Sequence, residues 1–297
     1  MAVVTRAQPG RPRAERRSLG TWLVRSGLRN IVLIVGLAFF TIWTVFPLLW
    51  IVETSIKPNR EIYSTASLVP RAITGDHYRT IFQETRFPTY FRNSLMVSVL
   101  TTVVSLTIGV MAAYAISRLS FRGRMLMARS TIVTYLVPGS LLFIPLFQIA
   151  HQLRLTDKAL GLVVIYLVHA VPFCTWLAIS YFNTIPYELE EAALVDGASR
   201  PQALMRIVLP LALPALAVIA LYAFTQSWNE FLFALLLIGS DSQKTIPAGL
   251  AGLINGDVFQ WGALMAGAIV SSVPPILIYL AAQRWVVSGL AGGAVKG

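Results

Sequence analysis

The polar residues that could do chemistry in this chain fall into two groups, and neither has the pattern of a catalyst. The larger is the run TIPYELEEAALVDGASRPQALMRIVLPLALP, residues 184–214, in which Glu188, Glu190, Glu191 and Asp196 precede Arg200 and Arg206. Read locally, Pro186 can open a short helix, the carboxylates suit its positive N-terminal end, and Gly197 is placed to close it in a left-handed turn. Three- and four-residue spacing puts Leu189, Ala192, Ala193 and Asp196 largely along one side, kept flat by the small alanines. A second helix starts near Ser199 to Pro201, carries both arginines and runs through Ile207 into apolar sequence. A helix, a turn and a helix joined rigidly to an apolar segment form a docking device, because movement of whatever binds them passes into that segment. The smaller group is SWNEF with the residues before it: Thr225, Gln226, Trp228, Asn229 and Glu230. It reads as an interfacial cluster or as the lining of a pathway.

Catalysis is not expected. The phosphate-cradling pattern G-x-x-x-x-G-K-[ST] is absent, as are H-E-x-x-H and G-x-S-x-G. His77, His151 and His169 lie far apart in sequence, and His169 reads as a helix-packing residue. The single cysteine, Cys174, sits in an apolar run, which leaves no intrachain disulfide or thiolate metal site and makes it a small buried hydrophobe. No catalytic residue, metal ligand or bound cofactor is assigned to this chain.

The elements that must position these residues are membrane spans. Of 297 residues, 56% are hydrophobic and only 12% charged, with a mean hydropathy of +0.68. Crossing about 30 Å of hydrocarbon takes roughly 20 apolar residues in a helix. Six stretches satisfy this: 31–52, 93–117, 130–150, 159–182, 207–226 and 261–283, none with a formal charge. As helices they satisfy their own backbone groups, which lipid requires. Proton-coupled carriers normally hold ionisable groups inside their spans, and these have none. Prolines 138, 145, 172, 214, 274 and 275 interrupt spans three to six and permit bends. Gly109 with Ala113, and Gly267 with Ser271, are small-residue pairs that let helices approach closely. The run 231–239 is too short to span and reads as re-entrant or interfacial.

Orientation follows from lysine and arginine in the connections. With the N-terminus inside, 15 of the 24 bases and 5 of the 13 acids are cytoplasmic, which leaves 9 and 8 outside. Both termini are then cytoplasmic, as is the polar run at 186–206. Residues 1–29 read as a basic, disordered tail and 285–297 as a C-terminal tail. The segments 53–92 and 227–260 lie outside, the first long enough for short helices. The net charge of +11 serves topology, since the bases do not form one patch interleaved with aromatics as nucleic-acid binding requires.

At Glu191-Ala192-Ala193, Gly197 and Ile207-x-Leu209-Pro210 the sequence resembles the EAA loop, E-A-A-x(3)-G-x(9)-I-x-L-P, of the inner-membrane permeases of ABC importers. Every position matches. SIKPNREIY, NSLMVSV, SWNEF, WGALMAGAIVSSVPP and the terminal GLAGGAVKG are similar to the carbohydrate-uptake branch, the MalG-type subunits. The resemblance implies an all-α integral membrane protein with the type I ABC importer permease fold, six transmembrane helices and a cytoplasmic helix-turn-helix EAA coupling loop. It implies as partners a MalF-like second permease, two ATPase subunits holding ATP and Mg, and an extracytoplasmic sugar-binding protein, in a bacterial or archaeal plasma membrane. ATPase coupling would fall to Glu191, Ala192, Ala193, Asp196, Gly197, Ile207, Leu209 and Pro210, with Glu191 reaching basic groups on the ATPase. The tail Gly289 to Gly297 would reach toward the ATPase dimer interface. Two rival readings are a permease for a non-sugar solute, such as a polyamine or phosphate ester, and a membrane scaffold without transport.

Overall fold

The computed structural model describes residues 19–64, 67, 69–255 and 258–294. They are almost wholly helical: α1 (Leu19–Ile56), α2 (Asn59–Ile62), α3 (Asp76–Arg79), α4 (Phe87–Arg118), α5 (Arg124–Leu136), α6 (Gly139–Gln152), α7 (Ala159–Phe182), α8 (Tyr187–Val195), α9 (Arg200–Ala203), α10 (Leu209–Trp228), α11 (Leu232–Leu237), α12 (Ile246–Ala251) and α13 (Trp261–Ala294). Two short π-helical segments, Thr80–Glu84 and Leu204–Val208, lie within the helical runs. One two-residue antiparallel ladder pairs Ile254 with Phe259 and Asn255 with Val258.

Residues up to Trp50 form one unit and those from Ile51 a second. Within the first, the apolar side chains of α1 from Ile31 to Trp50 are exposed all round, Phe40 and Trp43 among them. An all-round apolar helix of this length suits lipid. The expected N-terminal tail is shorter than 29 residues: α1 already runs from Leu19, and residues 1–18 lie outside the described part. At the other terminus α13 continues helical to Ala294, where a tail was expected from 285.

Among the described residues five helices are long and apolar enough to cross a membrane, or six if the bent pair α5 and α6 is one span. That pair corrects the reading of 130–150 as a single helix, because its halves meet at 99°. The cause is local. Pro138 cannot donate a backbone hydrogen bond, and it forces Val137 into the extended conformation that ends α5. Pro145, Pro172, Pro214 and the pair Pro274–Pro275 lie inside helices that continue through them. The run 231–239 contains α11, whose Phe233, Ala234 and Leu237 are buried in one apolar cluster with Leu146, Leu162 and Ile165.

The second unit is organised around α4 and α7. Their contact is close because Gly109 has no side chain: a Cβ there would lie 2.7 Å from the Cβ of Cys174. Ala113 and Cys174 are both fully buried along this seam, with Val110, Tyr114 and Phe173 beside them. The second small-residue pair also packs: Gly267 faces Leu250, and the Ser271 carbonyl accepts a hydrogen bond from Trp228 Nε1 at 3.0 Å.

α9, the Leu204–Val208 segment and α10 form one continuous helical run from Arg200 to Trp228, longer than the expected 207–226. The π turn falls just before Pro210. Proline has no N–H to donate to the Arg206 carbonyl and its ring would crowd that group, so the wider turn absorbs the misfit.

Candidate functional site

The polar run folds as its punctuation predicts. Pro186 precedes α8, and Gly197 takes φ +88° after it. Ala198 N donates to Ala193 O at 2.9 Å and Gly197 N to Leu194 O at 3.1 Å, which is the double closure of a Schellman motif. Ser199 then opens α9, its N–H donating to Gln202 Oε1 at 2.8 Å in a capping box with Pro201 in the first turn. Two helices thus meet at a fixed angle set by one left-handed glycine.

Adjacent residues on a helix point about 100° apart, so Glu190 and Glu191 cannot share a face. Glu191 is exposed, as are Glu188, Ala192 and Asp196, while Ala193 is half-buried. Leu189 and Val195 are exposed beside them, Val195 at 86%. Large apolar side chains interleaved with carboxylates on an open helix mark a contact surface. Ile207 and Leu209 are half-buried, Pro210 is exposed, and fully buried Val208 between them fixes the start of α10 in the core.

Glu190 turns the opposite way and is 4% exposed. Its Oε2 stands 3.2 Å from Arg118 Nε at the end of α4, an ion-pair distance, and Arg118 is itself 7% exposed. Tyr114 Oη donates to Glu190 Oε1 at 2.5 Å, and half-exposed Arg200 approaches the same oxygen at 3.7 Å. Arg118 Nη2 donates to the carbonyls of Phe182 and Ile185, both at 2.9 Å, where α7 ends and leaves carbonyls without helical partners. The guanidinium lies 4.1 Å from the Tyr187 ring, and Tyr187 Oη donates to the Ser117 carbonyl. From the sequence Glu190 and Arg200 read only as members of the polar run, and Arg118, Tyr114 and Tyr187 were not tied to them. The signal was there in the doubled acid: of two adjacent glutamates on a half-buried helix, one must face inward and find a cation.

The second group of residues divides. A cavity of about 450 Å³ is walled by Tyr135, Tyr166, His169, Phe173, Tyr222, Gln226, Asn229 and Glu230, among others. Tyr222 stacks on Phe173 with ring centres 3.8 Å apart, hydrogen-bonds Tyr135 at 2.7 Å, and accepts from Gln226 Nε2 at 2.9 Å. Glu230 Oε2 accepts from Tyr166 Oη at 2.8 Å, and its two oxygens also accept the backbone N–H groups of Phe233 and Ala234, capping α11. His169 Nε2 is buried at this wall without a hydrogen-bond partner, rather than satisfied in packing. Thr225 and Trp228 do not line the cavity. Thr225 Oγ1 bonds back to Leu221 O at 2.8 Å, and Trp228 is buried between Phe224 and Phe91. Helical period sets Trp228 on a different face from Tyr222, Gln226 and Asn229, which repeat at four and three residues, whereas Thr225 shares their side of α10 and spends its hydroxyl on its own helix.

No cation lines the cavity, and its one carboxylate is engaged by a phenol and two amides. Aromatic faces with a few neutral hydrogen-bonding groups suit an uncharged polyhydroxy solute. Among the described residues no group of histidine, cysteine, aspartate or glutamate could hold a metal ion.

Apolar helices around a polar-walled cavity, with an exposed contact helix fused to one of them, define a multi-pass membrane permease. The chain belongs to the family described as binding-protein-dependent transport system inner membrane component, whose model matches residues 105–292. It is 40% identical over 91% of its length to the inner membrane ABC transporter permease protein YcjP of Escherichia coli, covering 98% of that protein. It is 36% identical to the trehalose transport system permease protein SugB of Mycobacterium tuberculosis, over 86% and 93% of the two chains. Identity is 33% to the trehalose/maltose transport system permease protein MalG of Thermococcus litoralis, over 91% and 98%. A chain from the crystal structure of a bacterial ABC transporter importing the acidic polysaccharide alginate superposes with a TM-score of 0.76, at 24% identity, covering 94% of this chain and all of that one. That likeness establishes the type I permease fold.

Proposed function

We propose that this chain is the MalG-type permease subunit of an ATP-driven sugar importer, forming half of the translocation pathway and coupling it to ATPases on other subunits. The observation that carries the reading is α8: an exposed helix bearing Glu191, closed by a left-handed glycine and joined there to the helical run from Arg200 through Ile207–Pro210 into a membrane span. Relatives named for trehalose, trehalose/maltose, diacetylchitobiose and galactooligosaccharide transport support sugar as the solute class. The uncharged cavity wall agrees with this, with Gln226, Asn229 and Glu230 as pathway residues.

The bias of lysine and arginine supports a cytoplasmic position for α8 and both termini. There the carboxylate of Glu191, flanked by Ala192, Ala193 and Asp196, meets basic groups of an ATPase subunit. Partners are a MalF-like second permease, two ATPases and an extracytoplasmic sugar-binding protein, with ATP and Mg bound by the ATPases. ATP binding closes the ATPases, α8 moves with them, and the spans exchange inward-facing for outward-facing access; hydrolysis resets them. To invert a 1:99 population the ATP-bound ATPases must favour one permease state by about 5.5 kcal/mol.

The test is uptake by the complete importer in proteoliposomes, with its cognate binding protein and labelled trehalose, maltose, diacetylchitobiose and galactooligosaccharides. At least one should accumulate with ATP. Glu191→Ala or Gly197→Asp should reduce uptake at least tenfold without reducing the amount of chain in the membrane. Normal transport by both variants would end the coupling assignment.

A further inference from the structure

We infer that Glu190 and Arg118 form a second linkage between the contact helix and the spans, a positioning pair that makes α8 and the end of α4 move as one body. The inference rests on the coupling role of α8 proposed above. The chain leads from α8 back through residues 183–186 into α7 and on through Gly197 and α9 into α10, and by neither route directly into α4. Yet the bundle is organised around α4 and α7, and their seam at Gly109 leaves no slack. Without a further bond, movement of α8 would reach α4 only through packed apolar surfaces, which resist shear poorly because dispersion contacts are non-directional.

Arg118 supplies direction. It engages Glu190 of α8 at 3.2 Å and the Phe182 and Ile185 carbonyls at the end of α7, each at 2.9 Å, from its own place on the last turn of α4. One guanidinium thereby joins three segments. The two bonds to backbone carbonyls are directional, and the contact with Glu190 is an ion pair. Tyr114 and Tyr187 add bonds across the same joint in opposite senses, one from α4 to α8 and one from α8 to α4. Both charges are buried, so opening the pair would leave Arg118 desolvated without its carboxylate and Glu190 with only half-exposed Arg200 as a cation, and the joint survives movement that would shear an apolar contact.

The test uses the complete importer with Cys174→Ala, carrying spin labels at Ser120→Cys and Leu189→Cys, both exposed. The inter-label distance should be the same, within about 1 Å, before and after trapping with Mg-ATP and vanadate. A shift of several ångströms would overturn the inference, and this measurement requires no variant of the pair. In a second arm, Asn229→Cys at the cavity wall is alkylated by a membrane-impermeant maleimide, and trapping should change its rate at least tenfold. Glu190→Gln, which keeps the shape and the acceptor for Tyr114, should reduce that change to within twofold at equal nucleotide occupancy and broaden the label distance. A merely structural role would lower yield while leaving the rate change per assembled complex intact. Glu191→Ala is run alongside. If it abolishes the rate change while Glu190→Gln does not, the linkage falls and α8 keeps its coupling role. If neither variant affects the rate change, the coupling reading itself falls.

Discussion

The two ends of α4 are fastened by opposite means. At its start, Asn93 Nδ2 donates to the carbonyls of Ser242 and Lys244, both at 3.0 Å, and Ser94 Oγ accepts the Ile246 N–H at 2.8 Å. Tyr90 donates to Asp241 at 2.7 Å. These contacts are mostly neutral and directed at backbone, so they hold the connection between α11 and α12 in one arrangement: any shift strands a buried polar group. At its finish, Arg118 holds α8 by a charge. On the linkage inferred above, buried opposite charges resist separation, so this end would travel with α8 rather than part from it. A span that transmits movement needs one end fixed and one end captive.

That contrast can be broken at its middle first. Gly109→Leu places a branched side chain where even a Cβ meets Cys174, and overpacking there should cost about 3 kcal/mol. Loss of assembled complex on a native gel is the expected outcome, with both ends affected together. Asn93→Leu should act at one end alone, since it leaves two carbonyls unbonded at a cost of about 2 kcal/mol. Faster proteolysis within 239–245, with an unchanged distance between labels at 120 and 189, would show the two ends to be independent.

The smallest effects are expected at Asp157 and Asp241. The Ser240 hydroxyl and N–H hold the Asp157 carboxyl below its usual range, and the Tyr90 phenol, with Lys244 beside it, does the same for Asp241. Carboxyls depressed in the folded state contribute stability that is present above their unfolded pKa near 3.9 and lost as pH falls through the lower folded value. Proteolysis of the 239–245 segment should therefore be flat from pH 8 to about 5 and rise only in stronger acid. Asp157→Asn should raise it slightly at every pH in that range. A steep change near neutrality would point to a different group controlling this end.

Much of this architecture was legible in the sequence because its punctuation is local. Pro186, Gly197 and Ser199 act within a turn of themselves, and α8 and α9 begin and end where those residues require. Span positions followed from composition, with errors at their ends: α4 starts at Phe87 rather than Asn93 because Pro88 suits a first helical turn. What could not be read was anything set by the meeting of distant segments. Trp228 belongs to the core because Ser271, 43 residues on, offers it a carbonyl. The inward turn of Glu190 depends on Arg118, 72 positions earlier, which looked like one of several bases in a connecting loop. The break at Pro138 lay between the two: proline marked the place, but only packing could decide between a kink and a 99° turn.

The π turn at Leu204–Val208 has a consequence for timing in the geometrical sense. Such a turn holds one residue more than its α counterpart, so it advances everything downstream by about 100° of rotation. Deleting one residue between 204 and 208 would leave the surface of α8 intact and every later residue in a helix. Gln226 and Asn229 would nonetheless swing out of the cavity wall. The turn works as a keyway on a shaft: it sets the phase between α8 and the wall of the cavity.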